Sequence, residues 1–228
     1  SDWGSALFTW RSNPLLSEND VKEAKRAISR ALFAQEYECE WTTTEAQIYE
    51  SLDEGKHIGE FVGERFSEVI AGLDVGYRDD NVFVVIGFDG KSYYIIDEYV
   101  SKESTTSELA ARIQEKMDEW NIDTIYIDSA AQQLKADFAY DYDIYCENAV
   151  KSVNDGINYL QVLIEQDNLF FDTLGSSHCF SAMSTYRWNP NTETPKPVHD
   201  WTSHPCDAIR YAIYTHSKMS NISIYAHG

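Results

Sequence analysis

The pair Asp89-Gly90 stands between two runs that read as strands, and it constrains the fold more than any other feature of the chain. NVFVVIGFD before it and SYYIIDEYV after it are rich in β-branched and aromatic residues. An Asp-Gly step between two such runs is a strong hairpin signal, because Gly takes the positive φ that a tight turn demands. A further apolar run, VIAGLDVGY from Val69, precedes them, so three strands follow one another. The text then alternates. STTSELAARIQEKMDEW reads as an amphipathic helix, with Thr105 and Glu108 at capping-box spacing. DTIYIDS is a fourth strand, a short helix is expected near Gln132 to Ala139, and DIYCEN is a strand. SVNDGINYLQVLIEQ is a helix and NLFFD a strand; helices are expected over about Ser177 to Tyr186 and Pro205 to His216. Between those two, the Pro- and Asn-rich WNPNTETPKPVHDW is a loop or loose hairpin. Hairpin-linked strands followed by alternating helices and strands predict an α/β fold, a mixed central sheet with helices on both faces.

The chain divides near residue 60. Residues 1–60 read as a helical segment and linker, and residues 61–228 as the α/β domain. In NPLLSENDVKEAKRAISRALF an extended lead-in precedes one helix, with Ser17 as N-cap and Asp20 three residues on. Val21, Ala24, Ile28, Leu32 and Phe33 form its apolar stripe. EYECEWTTTEAQIYE and the glycines Gly55, Gly59 and Gly63 then read as a linker. A hydrophobic content of 43% supports a sizeable core and excludes a disordered chain. No apolar run approaches the roughly 20 residues that span a bilayer, so no membrane association is expected. The chain opens on Ser1 without a secretory signal and is read as part of something longer. Cys39, Cys146, Cys179 and Cys206 show no pairing pattern, which fits a reducing compartment. The net charge of −20 keeps the domain soluble and does not support strong autonomous binding to nucleic acid.

The chemistry concentrates in carboxylates. HDWTSHPCDAIRYA, His199 to Ala212, packs Asp200, His204 and Asp207 at the mouth of the last helix. Such a cluster is costly to desolvate unless a cation sits there, and a divalent metal is the candidate. Asp74 lies inside the first central strand between Gly72 and Gly76, and Asp128 ends the fourth after Ile125, Tyr126 and Ile127. If these strands are neighbours, the two acids stand side by side and the last helix brings Asp207 across to them. Three acids then offer oxygen ligands to hard divalent cations. Two such ions about 3.5–4 Å apart suit in-line hydrolysis of a phosphodiester. Each position also has a plainer reading. Asp128 can simply start a turn. Asp207 in a first helical turn complements the macrodipole. His204 can be an N-cap neighbour before Pro205. Asp74 resists such a reading, because no basic residue lies near it before Arg78.

These residues resemble the nuclease domain of the large terminase subunit of tailed bacteriophages. GLDVGY (Gly72–Tyr77) is similar to the family's first acidic strand and YIDS (Tyr126–Ser129) to its second acidic position. KSVNDGINYLQVLIEQDNLFFD resembles the helix and strand before the final helix. HDWTSHPCDAIRYA is the most specific match, an Asp, then a His, then Asp-Ala-x-Arg-Tyr. NPLLSENDVKEAKRAI and FAQEYECEW resemble the segment joining the ATPase motor to the nuclease. The resemblance implies an RNase H-like fold and a two-metal endonuclease that cuts concatemeric double-stranded DNA during packaging. It implies two Mg²⁺ or Mn²⁺ ions on Asp74, Asp128 and Asp207, with Asp200 and His204 in support near them. Lys151 and Arg210 are candidates for phosphate contacts, although Arg210 can equally pair with an acid on its own helix. The implied partners are the ATPase motor domain of the same polypeptide, the small terminase subunit and the portal protein, in the host cell cytoplasm.

The family's full-length proteins carry a Walker A P-loop. Gly90-Lys91-Ser92 does not make one, since Val85 stands where Gly is needed and a strand follows, so no ATP hydrolysis is expected. Three other readings stay open. An RNase H-like resolvase or transposase core has the same fold. An actin-like or sugar-kinase-like phosphotransferase would use Asp74-Val75-Gly76, but its second loop is missing, since Asp128 is followed by Ser-Ala. A zinc-binding interaction module would use His178, Cys179, His204 and Cys206, whose spacing matches no compact zinc motif.

Overall fold

The computed structural model describes residues 8–39, 47–61, 63–76, 80–192 and 194–226. Tyr77 and Arg78, beside the first acidic strand, and most of the aromatic stretch after Glu38 lie outside the described residues.

Between residues 18 and 38, where the sequence predicts one helix, there are two. α1 (Glu18–Ala27) has the expected capping box: Asp20 N donates to Ser17 Oγ at 3.2 Å and Ser17 N donates to Asp20 Oδ2 at 2.8 Å. The apolar stripe then breaks. Ile28 is extended, with φ −129° and ψ 155°, and Ser29 caps a second helix, α2 (Arg30–Glu38). The break is set by distant residues. Ser29 N donates to Asn158 Oδ1 at 2.9 Å, and Arg30 N donates to the Glu165 carboxylate. Tertiary partners for these amides outweigh the continuity of the stripe. A short α3 (Glu54–His57) runs into β1 (Ile58–Gly59).

The three successive strands are β2 (Glu68–Asp74), β3 (Asp80–Phe88) and β4 (Tyr93–Lys102), all antiparallel. Gly90, at φ +100°, makes the predicted turn between the last two. Asp89 locks it: Oδ1 accepts the Lys91 and Ser92 amides at 2.8 and 2.7 Å, and Oδ2 accepts the Tyr94 hydroxyl at 2.8 Å. The rest alternates as predicted, through α4 (Thr106–Trp120), β5 (Thr124–Ile127), α5 (Gln132–Asp141), β6 (Cys146–Asn148), α6 (Val153–Glu165), β7 (Leu169–Asp172), α7 (Ser177–Thr185) and α8 (Ser203–Ala226). The Pro-rich stretch before α8 is a loose hairpin, with Trp188 bridged to Pro197.

Among the described residues, one seven-stranded sheet runs β1-β7-β4-β3-β2-β5-β6. Period-two alternation divides its core. Ile70, Val82, Val84, Ile86 and Ile95 pack under α6, α7 and α8; Ala71, Leu73, Phe83, Val85 and Ile96 pack under α4 and α5. Burying each such side chain contributes about 1.5–3 kcal/mol. The linker text enters this core too, since Ile48 and Tyr49 are buried in it and β1 pairs in parallel with β7.

α8 lies directly on β2. A Cβ on Gly72 would fall 1.9 Å from the Ala208 carbonyl oxygen, so only Gly permits this approach. The helix also starts earlier and ends later than periodicity suggests. Ser203 rather than Pro205 opens it, and it continues to Ala226 because no Pro or Gly interrupts it after His216.

Candidate active site

β2 and β5 are parallel neighbours, as the acid pattern requires, with Leu73 opposite Ile127. Asp74 and Asp128 are the next residues on each strand, so both stand at the carboxyl ends of adjacent central strands. Clefts form there in open α/β sheets. The early start of α8 places Asp207 in the second helical turn, and the first turn holds no acid. The macrodipole reading therefore loses its footing, because that stabilisation fades beyond the first turn.

The electrostatics tie the three acids together. Burial raises the Asp74 carboxyl above its usual range, and the negative charges of Asp207 and Asp128 push it the same way. His204 opposes them: Nδ1 lies 2.6 Å from Asp74 Oδ2, and both side chains are nearly buried. Burial also pushes Asp128 up. The Lys151 ammonium at 2.6 Å, the Ala130 amide at 2.8 Å and the Tyr211 hydroxyl at 3.4 Å outweigh it and hold the carboxyl below its ordinary value. The Ala130 contact shows that Asp128 does start a turn, alongside whatever else it does. Asp207 Oδ1 accepts Arg210 Nη2 at 2.7 Å and Nε at 3.3 Å. Each acid thus faces one base of the same chain.

Arg210 is 2% exposed, which sets it on Asp207 rather than on a surface where a phosphate would reach it. It fits because α6 carries Gly156; a Cβ there would come within 2.7 Å of the Arg210 side chain. Asp200 closes the turn before α8, accepting the Thr202 amide at 2.9 Å, with Arg187 at 3.8 Å. Lys151 is half-exposed at the edge of the cluster. The sequence reading assigned no role to the Tyr211 hydroxyl, to Gly156, or to Tyr49, whose buried hydroxyl has no hydrogen-bond partner among the described residues. Only the Arg-Tyr of the last helix carried a signal for any of them.

The donor chemistry suits a hard divalent ion, since three carboxylates share one neighbourhood and Asp74 bears the repulsion of the other two. Among the described residues, no three His, Cys, Asp or Glu side chains already close around a point as ligands. Cys179 and Cys206 are fully buried, and burial pushes both thiols well up. Among the described residues, no helix is long and apolar enough to cross a membrane.

A mixed sheet with acids at the ends of two adjacent strands, crossed by a helix with a third acid, defines an RNase H-like protein. Residues 71–215, which span all three acids, match the family model described as the terminase RNase H-like domain, and the chain belongs to that family. This membership sets aside the phosphotransferase and zinc-module readings. The chain is 37% identical to the large terminase subunit of Escherichia phage T5, over 95% of its own length and 52% of that protein. It therefore spans about half of that relative. Among solved structures, the large terminase of a thermophilic bacteriophage superposes with a TM-score of 0.77 at 21% identity, covering 92% of this chain and 53% of that one. The P22 large terminase nuclease domain gives 0.63 at 18% identity, covering 78% of this chain and 95% of the domain. The SPP1 large terminase nuclease domain, solved with bound Mn, gives 0.57 at 23% identity over 73% and 97%. These structural likenesses establish the fold.

Proposed function

We propose that this chain is the nuclease part of a phage DNA-packaging terminase and cuts double-stranded DNA by divalent-metal-dependent hydrolysis at Asp74, Asp128 and Asp207. One observation carries the reading: Asp74 and Asp128 follow paired residues at the carboxyl ends of adjacent parallel strands, and α8, which lies on β2, brings Asp207 near the almost buried Asp74. Such an arrangement is relieved by cations. The bound Mn of the SPP1 domain supports the same choice of ion.

Asp74 and Asp128 would hold one Mg²⁺ or Mn²⁺ and Asp74 and Asp207 the other, with Asp128 released from Lys151 and the other two acids kept on their enclosed partners. Such ions, when bound, make a water acidic enough to attack and stabilise the leaving 3′ oxygen. The remaining work falls to the chain. His204 fixes the Asp74 carboxylate through Nδ1, and Arg210 fixes Asp207 from the buried side. Tyr211 steadies Asp128. Asp200 orders the entrance to α8 as an outer member of the acidic group. Lys151, on the exposed rim, meets the phosphate backbone.

A chain with a net charge of −20 holds duplex DNA weakly by itself. In this reading the ATPase motor of the same polypeptide, the small terminase subunit and the portal deliver the DNA, in the host cytoplasm. Residues 1–60 lead in from the motor side. The test is incubation with supercoiled plasmid and Mn²⁺. The parent should yield nicked and linear DNA and Asp74→Ala should not; equal cutting by Asp74→Ala would make the assignment wrong.

A further inference from the structure

Bases are scarce in this chain, with 18 Lys and Arg and 6 His against 38 Asp and Glu, yet one reaches each of the three acids. The three pairs are not alike. The His204 and Arg210 side chains are 10% and 3% exposed, enclosed by the helix and sheet that carry them. The Lys151 side chain is 50% exposed. The chain leading to it is nonetheless anchored: Ala149 N donates to the Ile127 carbonyl and Val150 N to Thr215 Oγ1, both at 2.9 Å. The root of Lys151 is thus held against β5 and α8, beside Asp128, while its flexible stem and ammonium face solvent. A lysine of this kind makes a weak, exchangeable ion pair.

We propose that Lys151 is an exchangeable counter-cation, which neutralises Asp128 in the absence of a divalent ion and passes to a backbone phosphate of DNA when an ion takes its place. The inference rests on the reading of Asp74, Asp128 and Asp207 as the ion site. It adds a coupling between metal and DNA. An ion on Asp128 repels the ammonium and releases it towards the phosphate; a phosphate that holds the ammonium uncovers Asp128 for the ion. By linkage each ligand strengthens the other by the same factor. Arg210 and His204 are too enclosed to take part.

The test uses the purified chain, Mn²⁺ alone as the metal probe, and a short DNA duplex in Ca²⁺ to measure binding without cutting. Mn²⁺ affinity is read by electron paramagnetic resonance, which needs no activity. Lys151→Met should bind Mn²⁺ more tightly than the parent, on the order of fivefold, because a competing cation is gone. It should bind duplex more weakly, with the slope of log affinity against log salt smaller by about 0.9. Lys151→Arg, which keeps the charge, should restore both values towards the parent. Mn²⁺ binding by Lys151→Met that equals or falls below the parent overturns the exchange, even if Asp128→Asn shows that the ion does sit on Asp128. A parent that binds no Mn²⁺, or an Asp128→Asn variant that binds it as tightly as the parent, overturns the site reading and this inference with it.

Discussion

Each end of β2 carries a carboxylate paired with a histidine. At one end Asp74 meets His204 of α8 at 2.6 Å; at the other Glu68 meets His216 of the same helix at 3.2 Å. The spacing follows from geometry. Six residues of strand span about 20 Å and twelve of helix roughly 18 Å, so a helix laid antiparallel on the strand meets it twice. Yet the ends differ in what surrounds the acid. The Glu68 side chain is 49% exposed, and His216 is held from its other side by the Tyr93 hydroxyl at 2.9 Å. Asp74 is nearly buried and bears the charges of Asp207 and Asp128. An acid–histidine pair is thus common structural vocabulary. What marks a site is the convergence of further like charges on a carboxylate that is nearly buried.

The comparison breaks most visibly under charge removal. Asp74→Asn should cut the rate of plasmid cleavage by on the order of a thousandfold, about 4 kcal/mol of barrier. Glu68→Gln should leave it within about twofold, since an exposed ion pair is worth little. Equal losses would erase the distinction between the two ends. Gly72→Ala tests the geometry that sets both contacts, because the new methyl meets the Ala208 carbonyl. A loss of about 2–3 kcal/mol is expected in urea unfolding; a value near zero would mean that α8 is not held so closely.

The two histidines should separate stability from activity. His216→Ala leaves the buried Tyr93 hydroxyl without its present partner and should lower stability by about 1–3 kcal/mol, with cleavage per folded molecule unchanged. His204→Ala should lower cleavage by about tenfold at saturating Mn²⁺, consistent with a lost orienting hydrogen bond. The smallest effect belongs to a carboxylate at neither end. Burial pushes Asp89 up, but the Ser92 and Lys91 amides and the Tyr94 hydroxyl hold it below its usual value. Its stabilisation is therefore present above the unfolded carboxyl value of about 3.9 and is lost as pH falls through the lower folded value. Asp89→Asn should unfold at slightly lower urea than the parent at neutral pH, by about 0.5 kcal/mol for so exposed a group, and the gap should close in acid.

Local signals were enough for much of this. The Asp89-Gly90 turn, the capping boxes at Ser17 and Thr105, and the alternation of apolar runs with helices depend on neighbouring residues, and the structure has them as read. The acids were visible because carboxylates inside or ending apolar strands are rare enough to need a reason. What stayed hidden is nonlocal. The break at Ile28 depends on Asn158 and Glu165, more than a hundred residues away. β1 has only two residues and is a strand only because β7 lies beside it. That Arg210 is buried on Asp207 depends on Gly156 of another helix. The match of Lys151 to Asp128 depends on the strand order.

The central claim is that Asp74, Asp128 and Asp207 form one divalent-cation site. A crystal of this chain soaked in Mn²⁺, examined by anomalous scattering at the manganese edge, addresses it directly. The account predicts anomalous peaks among these three carboxylates, with Lys151 turned away from Asp128. Clear density for Asp128 still on Lys151, with manganese elsewhere or absent, would contradict it.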